Sequence, residues 1–191
     1  MTPCSRPRAG VSSPIIIHCA GAVGEPKAPT RKEELMQFAE RTFRDALGAI
    51  VIQSRLRPGV TRQDFEKQMF PGLEVGLPGW QRAHSQGAGT GFESPNAIRY
   101  APEAVNQQYQ RLGIERHVRE LLAHKPPGVE LWLTTATTTH PRTLRLKEIQ
   151  YRVDAVQGTQ SRRLFEASIA VSDSRDSPRV TVQATPFGTF S

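Results

Sequence analysis

The sequence predicts an α+β fold. A helical N-terminal lead-in comes first, then a strand, a loop, a strand and a helix, and last an antiparallel sheet of about four strands. Two patterns support this order. Apolar residues recur at helical spacing before Pro58-Gly59 and again after Pro102, whereas from Val129 onward they alternate with polar residues. Because short turns separate the alternating segments, neighbouring strands are expected to run antiparallel, with one face buried.

Proline and glycine divide the 191 residues into three predicted parts. Residues 1–30 hold five of the fifteen prolines and are predicted to form a flexible head. Residues 31–76 are predicted to be a helical lead-in, with a capping box at Thr30 and Glu33 and a shorter helix beginning at Thr61. Residues 77–191 are the predicted main domain. The apolar stripe of the first lead-in helix consists of Leu35, Ala39, Phe43, Leu47 and Ile50.

The main domain begins with a predicted strand at Trp80–Ser85, a glycine-rich loop at Gln86–Gly91 and a second strand at Asn96–Ala101. Pro102 then stands where a helix would begin. The apolar stripe of that helix shifts by one step at Gly113, so we expect a kink or a break there.

Four further strands are predicted after the helix. A change of alternation phase near Lys147-Glu148 predicts a β-bulge. His140 lies in the turn between the first two of these strands and is expected to be exposed. The inward residues of the first strand are Val129, Leu131, Leu133, Thr135 and Thr137; those of the second include Ile149, Tyr151, Val153 and Ala155; those of the third are Phe165, Ala167, Ile169 and Val171; those of the fourth are Val180, Val182 and Ala184.

The chain is basic, with a formal net charge of +7. After Leu77, arginine outnumbers lysine twelve to two. The planar guanidinium group suits phosphate, so a nucleic acid or a nucleotide is a plausible partner, with a generally basic surface as the equal alternative. No apolar run approaches the ~20 residues of a membrane-spanning helix, and the N-terminal apolar patch is too short for a signal peptide. The sequence therefore predicts neither a membrane segment nor an export signal.

The order of strand, loop, strand and helix places a histidine and an amide where phosphodiester chemistry would use them. His84 would act as general base. Asn106 and Glu115 would hold a divalent cation, expected to be Mg²⁺, which prefers oxygen ligands. The plainer explanation of His84 is an ordinary polar strand residue, and that of Asn106 is an amide that caps the helix.

Five other residues join this predicted site. Glu93 and Arg82 are catalytic candidates, Glu93 as the group that orients His84 or reaches the metal. Arg99 and Tyr100 would bind substrate, and Gln110 shares the helix face of Asn106. A solvated loop glutamate is the plainer explanation of Glu93.

Several short segments together resemble the C-terminal toxin domains of bacterial polymorphic toxins, in particular the type 4 group. The resemblance covers about Leu77 to Val182. It implies delivery into rival cells by a secretion system, with a delivery or adaptor protein, and a cognate immunity protein as partner. The segments are Gly79-Trp80-Gln81-Arg82-Ala83-His84-Ser85, Gly89-Thr90-Gly91-Phe92-Glu93-Ser94, Ile98-Arg99-Tyr100-Ala101-Pro102, Val105-Asn106-Gln107, Gly113-Ile114-Glu115, Thr138-Thr139-His140-Pro141-Arg142-Thr143 and Leu146-Lys147.

A weaker likeness connects the chain with non-specific DNA/RNA endonucleases of the ββα-metal kind. That family carries an Asp-Arg-Gly-His signature and a downstream helical asparagine. Arg82, His84 and Asn106 agree with it, but Gln81 replaces the acid and Ala83 the glycine. A missing carboxylate weakens binding of a hard cation.

The leading sequence-based hypothesis is a toxin that acts on DNA or RNA as a metal-dependent nuclease, and so as a hydrolase in bacterial competition. Three alternatives stay open. The toxin could consume or transfer from a nucleotide such as NAD, with Glu93 as catalyst; it could be a metal-free RNase using His84 and an arginine; or the domain could be a non-catalytic module that binds nucleic acid or protein.

Overall fold

The computed structural model describes residues 38–59, 78–94, 96, 98–188 and 190. They form a six-stranded antiparallel sheet, a separate two-stranded antiparallel sheet and one long helix. The large sheet has the order β1-β2-β5-β6-β7-β8, and the small sheet pairs β3 with β4. The strands are β1 (Arg41–Arg44), β2 (Ile50–Arg55), β3 (Trp80–His84), β4 (Ile98–Pro102), β5 (Glu130–Thr139), β6 (Leu146–Gln157), β7 (Gln160–Val171) and β8 (Val180–Pro186).

The predicted helix of the lead-in is wrong where the structure describes it. Residues 41–55 form a hairpin that adds β1 and β2 to the large sheet, and β2 pairs with β5. Asp45 accepts backbone hydrogen bonds from Leu47 and Ala49, and Gly48 adopts a positive φ, so the chain turns there. β2 is buried almost throughout, so it lacks the alternation that marks a half-buried strand. The predicted head and the helix at Thr61 lie outside the described residues.

The four predicted C-terminal strands are all present, as β5 to β8. The sheet nevertheless has six strands rather than four, because β1 and β2 join it. The predicted bulge is confirmed. Thr138 pairs with Glu148 but Thr139 pairs with Leu146, which leaves Lys147 as the extra residue of β6.

The predicted break at Gly113 is replaced by a change of helix type. Val105–Ile114 form a π-helical segment, and α1 (Glu115–His124) continues it without interruption. A π-turn holds about one residue more than an α-turn. The widened turns accommodate the one-step shift of the apolar stripe, because Val105, Ile114, Val118 and Leu121 are all buried in one core.

That core lies between the helix and the inner face of the large sheet. The small β3–β4 sheet contributes Ala83 and Ala101 to it, and the sheet contributes Leu133, Ile149 and Ile169. Burying each such aliphatic side chain contributes about 1.5–3 kcal/mol. The helix and the small sheet are thereby fixed against the large one, with the end of β3 close to the middle of the helix.

His140 is buried, so the expectation that it is an exposed turn residue is wrong. Its Nε2 lies 2.9 Å from the backbone oxygen of Val171, and its Nδ1 lies 3.8 Å from Oδ1 of Asp173. Arg145 donates to the same carboxylate oxygen at 2.6 Å. The turn after β5 is thus attached to the loop after β7.

Within the described part of the chain, no helix is long and apolar enough to span a membrane.

Candidate active site

A polar cleft of about 580 Å³ opens between the end of β3, the glycine-rich loop and one side of the helix. It brings together His84, Glu93, Asn106 and Glu115, four residues singled out from the sequence. The remaining lining residues are Gly87, Ala88, Gly89, Gln107, Arg111 and Arg119.

His84 and Glu93 form the best-defined pair in the cleft. Nδ1 of His84 lies 3.0 Å from Oε1 of Glu93, and the two side chains are 12 % and 2 % exposed. A carboxylate beside one ring nitrogen fixes the tautomer and orientation of an imidazole and stabilises its protonated form. Glu93 is almost fully buried, so its carboxylate lies against the His84 ring rather than in solvent.

The helix wall of the cleft is a row of polar residues at every fourth position, formed by Gln107, Arg111, Glu115 and Arg119. Neighbouring members interact. Nη1 of Arg111 donates to Oε1 of Gln107 at 3.4 Å, and Nη1 of Arg119 lies 3.6 Å from Oε2 of Glu115. This spacing was the available signal for Gln107, Arg111 and Arg119, which the sequence-based site did not include.

The glycines of the loop allow it to lie against this wall. A Cβ atom on Gly87 would lie 3.1 Å from Oε1 of Glu115, and one on Gly89 would lie 3.2 Å from Nη1 of Arg119. Both distances are shorter than ordinary van der Waals contact. The two glycines therefore let the loop lie close to these side chains, which would have to shift by a few tenths of an ångström to admit a Cβ.

Two buried glutamines hold the end of β3 in place. Nε2 of Gln110 donates to the backbone oxygen of His84 at 2.7 Å and to the hydroxyl of Tyr151 at 2.6 Å. Gln86 accepts from Ser54 and donates to backbone oxygens of β2 and β5. Gln110 was predicted to bind substrate, but its side chain lies in the interior and does not line the cleft.

Tyr151 lies under the cleft in the protein core. Burial raises the pKa of its phenol above the usual range, and the negative charge of Glu115 raises it further, although the hydrogen bond from Gln110 opposes both effects. Tyr151 therefore stays neutral and acts as a fixed hydrogen-bonding partner for Gln110.

Like Gln110, three more of the predicted residues do not line the cleft. Arg82 and Tyr100 face each other across the β3–β4 pair. Arg99 is buried, and its guanidinium donates to the backbone oxygens of Asn96 and Ile98. Burial, followed by repulsion from Arg44, lowers the pKa of Arg99. The structure thus places Arg99 in the framework of the small sheet.

Each of the two predicted cation ligands already has a partner within the protein. Nδ2 of Asn106 donates to Gln81 at 3.2 Å, and the carboxylate of Glu115 is shared with Arg119. Among the described residues there is no group of three or more His, Cys, Asp or Glu suited to hold a metal ion. A hard cation requires several oxygen ligands in regular geometry. We therefore derive no catalytic step through a metal.

All ten residues that line the cleft fall within one segment that is shared with a known family. Residues 77–165 match the model of the bacterial toxin 4 family. The match confirms the predicted resemblance to a polymorphic-toxin C-terminal domain, and it begins at the predicted boundary, Leu77. Likeness to the ββα-metal endonucleases is not shown. The chain has no significant match among curated proteins or solved structures. We refer below to residues 77–191 as the C-terminal region.

Proposed function

We propose that the C-terminal region is a ribonuclease that cleaves RNA without a metal ion, by transfer of the phosphoryl group from the 5′ oxygen to the ribose 2′ oxygen. The observation that carries this proposal is the His84–Glu93 pair in an open cleft that also exposes Arg119. A histidine oriented by a carboxylate is suited to general acid–base chemistry, and arginines suit the charge of a phosphate.

The proposed reaction assigns one task to each of these groups. Nε2 of His84 accepts the proton of the 2′-hydroxyl while that oxygen forms a bond to phosphorus. The bond from phosphorus to the 5′ oxygen breaks, and the 5′ oxygen takes a proton from water. The hydroxide that remains then takes the proton from the His84 imidazolium, which restores water and the neutral base. Glu93 stabilises the imidazolium that forms. Arg119 stabilises the negative charge on the phosphoryl oxygens.

RNA is preferred over DNA because RNA contains its own nucleophile. Hydrolysis of DNA requires an activated water, for which a metal ion is the usual device. The hydrogen bond from Asn106 to Gln81 and the ion pair of Glu115 with Arg119 support the metal-independent route over the metal-dependent nuclease predicted from the sequence. The products would be a 2′,3′-cyclic phosphate and a 5′-hydroxyl.

In its biological setting, the proposal places the activity in a cell that receives the toxin. Membership of the matched segment in a bacterial toxin family supports delivery to other cells and a partner such as an immunity protein. Cleavage of RNA would harm a cell that receives the protein, which is consistent with delivery. It would also harm the producing cell, which would therefore need an immunity protein.

The test uses the full chain with end-labelled RNA and with DNA, each with Mg²⁺ or with EDTA. We expect RNA to be cut equally in EDTA, to leave cyclic phosphate ends, and to survive with His84→Ala. His124→Ala is the matched control, because His124 is an exposed histidine of α1. Cleavage that requires Mg²⁺ and leaves 5′-phosphates would restore the metal-dependent mechanism instead.

Three further results would contradict the proposed function or its mechanism. Loss of cellular NAD with intact RNA would identify a nucleotide-consuming toxin. Equal cleavage by wild type and His84→Ala would remove the proposed base. Toxicity that persists when His84, Glu93 and Asn106 are all replaced by alanine would favour a binding module.

A further inference from the structure

The helix wall of the cleft carries a row of amides that ends in a guanidinium group. Asn106 and Gln107 both donate to Oε1 of Gln81, at 3.2 and 3.3 Å, so β3 holds the two carboxamides side by side. Gln107 in turn accepts from Arg111. We call Asn106, Gln107 and Arg111 the amide–arginine wall.

These side chains are chemically unlike a site for phosphate alone. Carboxamides present both a donor and an acceptor, and guanidinium groups present paired donors in a plane. Such groups recognise the edges of nucleobases: arginine pairs with N7 and O6 of guanine, and asparagine or glutamine with adenine. The wall thus has hydrogen-bonding capacity that the proposed cleavage step does not use.

The wall is also held in a fixed arrangement. Its members stand on the π-helical segment, whose inward residues Val105 and Gln110 are fully buried. Gln81 fixes the two amides from the neighbouring strand, and Gln107 orients the guanidinium of Arg111. Groups that are already ordered lose little conformational entropy when they bind, which is a requirement for discrimination between similar ligands.

Resting on the proposed ribonuclease function, we propose that the amide–arginine wall recognises one guanine base next to the phosphate that is cleaved. Arg111 contacts N7 and O6 of that base. Gln107 fixes the guanidinium plane, and Asn106 supplies a further polar contact. Guanine is favoured over adenine because Arg111 offers only donors, which match the two acceptors of guanine and clash with the 6-amino donor of adenine.

This assignment requires single-stranded RNA. The major groove of an A-form duplex is too narrow for side chains to reach those atoms, whereas an unpaired base presents all its edges. The substrate class is therefore single-stranded RNA that contains guanine, such as an exposed loop.

The experiment measures kcat/KM on four short single-stranded RNAs that differ in one central base. We expect the guanine substrate to be cut about 10- to 100-fold faster than the adenine substrate. Arg111→Ala should remove the preference, and Gln107→Ala should reduce it. Arg116→Ala is the matched control, because Arg116 is an exposed arginine of α1 that pairs with Glu120 outside the cleft.

The outcomes separate this proposal from the proposed function. RNA cleavage without base preference, or a preference that Arg111→Ala retains, would overturn the guanine assignment and leave the ribonuclease intact. If wild type cuts no RNA, fluorescence anisotropy of the same four oligonucleotides still tests the wall. Equal binding of all four by wild type would overturn it, and a guanine preference that Arg111→Ala abolishes would support it.

Discussion

The side-chain nitrogen of Gln110 lies 2.7 Å from the backbone oxygen of His84, so a buried helix residue holds the end of the strand that carries the proposed base. The same nitrogen donates to the hydroxyl of Tyr151 in the large sheet. The helix, the small sheet and the large sheet therefore meet at one amide group, directly behind the cleft.

Replacing Gln110 with methionine should weaken both stability and RNA cleavage. Methionine has a similar volume but no donor, so it leaves the His84 carbonyl and the Tyr151 hydroxyl without this partner. We expect unfolding free energy to fall by about 1–3 kcal/mol in urea titrations. Tyr151→Phe is the comparison, since it removes only the second hydrogen bond and should spare more of the cleavage rate. Equal rates for Gln110→Met and wild type would argue against a positioning role.

Glu93→Gln tests the group that orients His84. The amide keeps the size of the side chain but loses the charge that stabilises a protonated imidazole. Cleavage should fall by about 10²- to 10⁴-fold, the range typical of a positioned acid–base pair. Glu103→Gln, an exposed glutamate before the helix, should have no effect. The circular dichroism spectrum should not change in either variant, and full activity in Glu93→Gln would exclude the proposed orientation of His84.

Gly91→Ala should destabilise the protein more than Gly79→Ala. Both glycines have positive φ angles, of 83° and 74°. A Cβ on Gly91 would lie 2.6 Å from Cβ of Arg57, whereas one on Gly79 would meet nothing within 4 Å. We expect a loss of about 1 kcal/mol at Gly79 from the backbone conformation, and about 1–3 kcal/mol more at Gly91 from overlap. Thermal unfolding measures both, and equal losses would contradict the close packing of the loop.

Ile52→Ala tests the membership of β2 in the sheet. Ile52 is fully buried, and its removal should cost about 2–5 kcal/mol of unfolding free energy. Leu47→Ala, in the exposed turn between β1 and β2, should be nearly neutral. If residues 41–55 instead formed part of the predicted helix, Leu47 would lie on its buried apolar stripe. A large loss at Leu47 would then point back to the helix.

Stability should decline in alkali in a way that depends on Tyr151. An unfolded tyrosine has a pKa of about 10, and the folded state raises the pKa of Tyr151 above its usual range. The folded state therefore binds the proton more tightly, so this contribution is complete below about pH 10 and is lost as the pH rises further. Urea titrations from pH 8 to 11 should show a shallower decline for Tyr151→Phe. If wild type and Tyr151→Phe lost unfolding free energy in parallel between pH 8 and 11, the raised pKa of Tyr151 would be contradicted.

Local sequence patterns were sufficient to predict the elements that bury one face and expose the other. β5 to β8 alternate because one face of the sheet is buried and the other is not, and the phase change at Lys147 marks the bulge directly. The residue types of the site, His84, Glu93 and Asn106, could likewise be selected from their order along the chain. The resemblance to a bacterial toxin was also evident from short segments of sequence.

Only the tertiary structure decided how these parts meet. β2 is covered on both faces, so its apolar run carries no periodicity that distinguishes a strand from a helix. The π-helical segment turns Gln110 inward, although its spacing from Asn106 would place both residues on one face of an α-helix. The pairing of His84 with Glu93 depends on the path of a loop packed against β2 and the helix. Contacts between residues far apart in the chain leave no local pattern, and these contacts form the cleft.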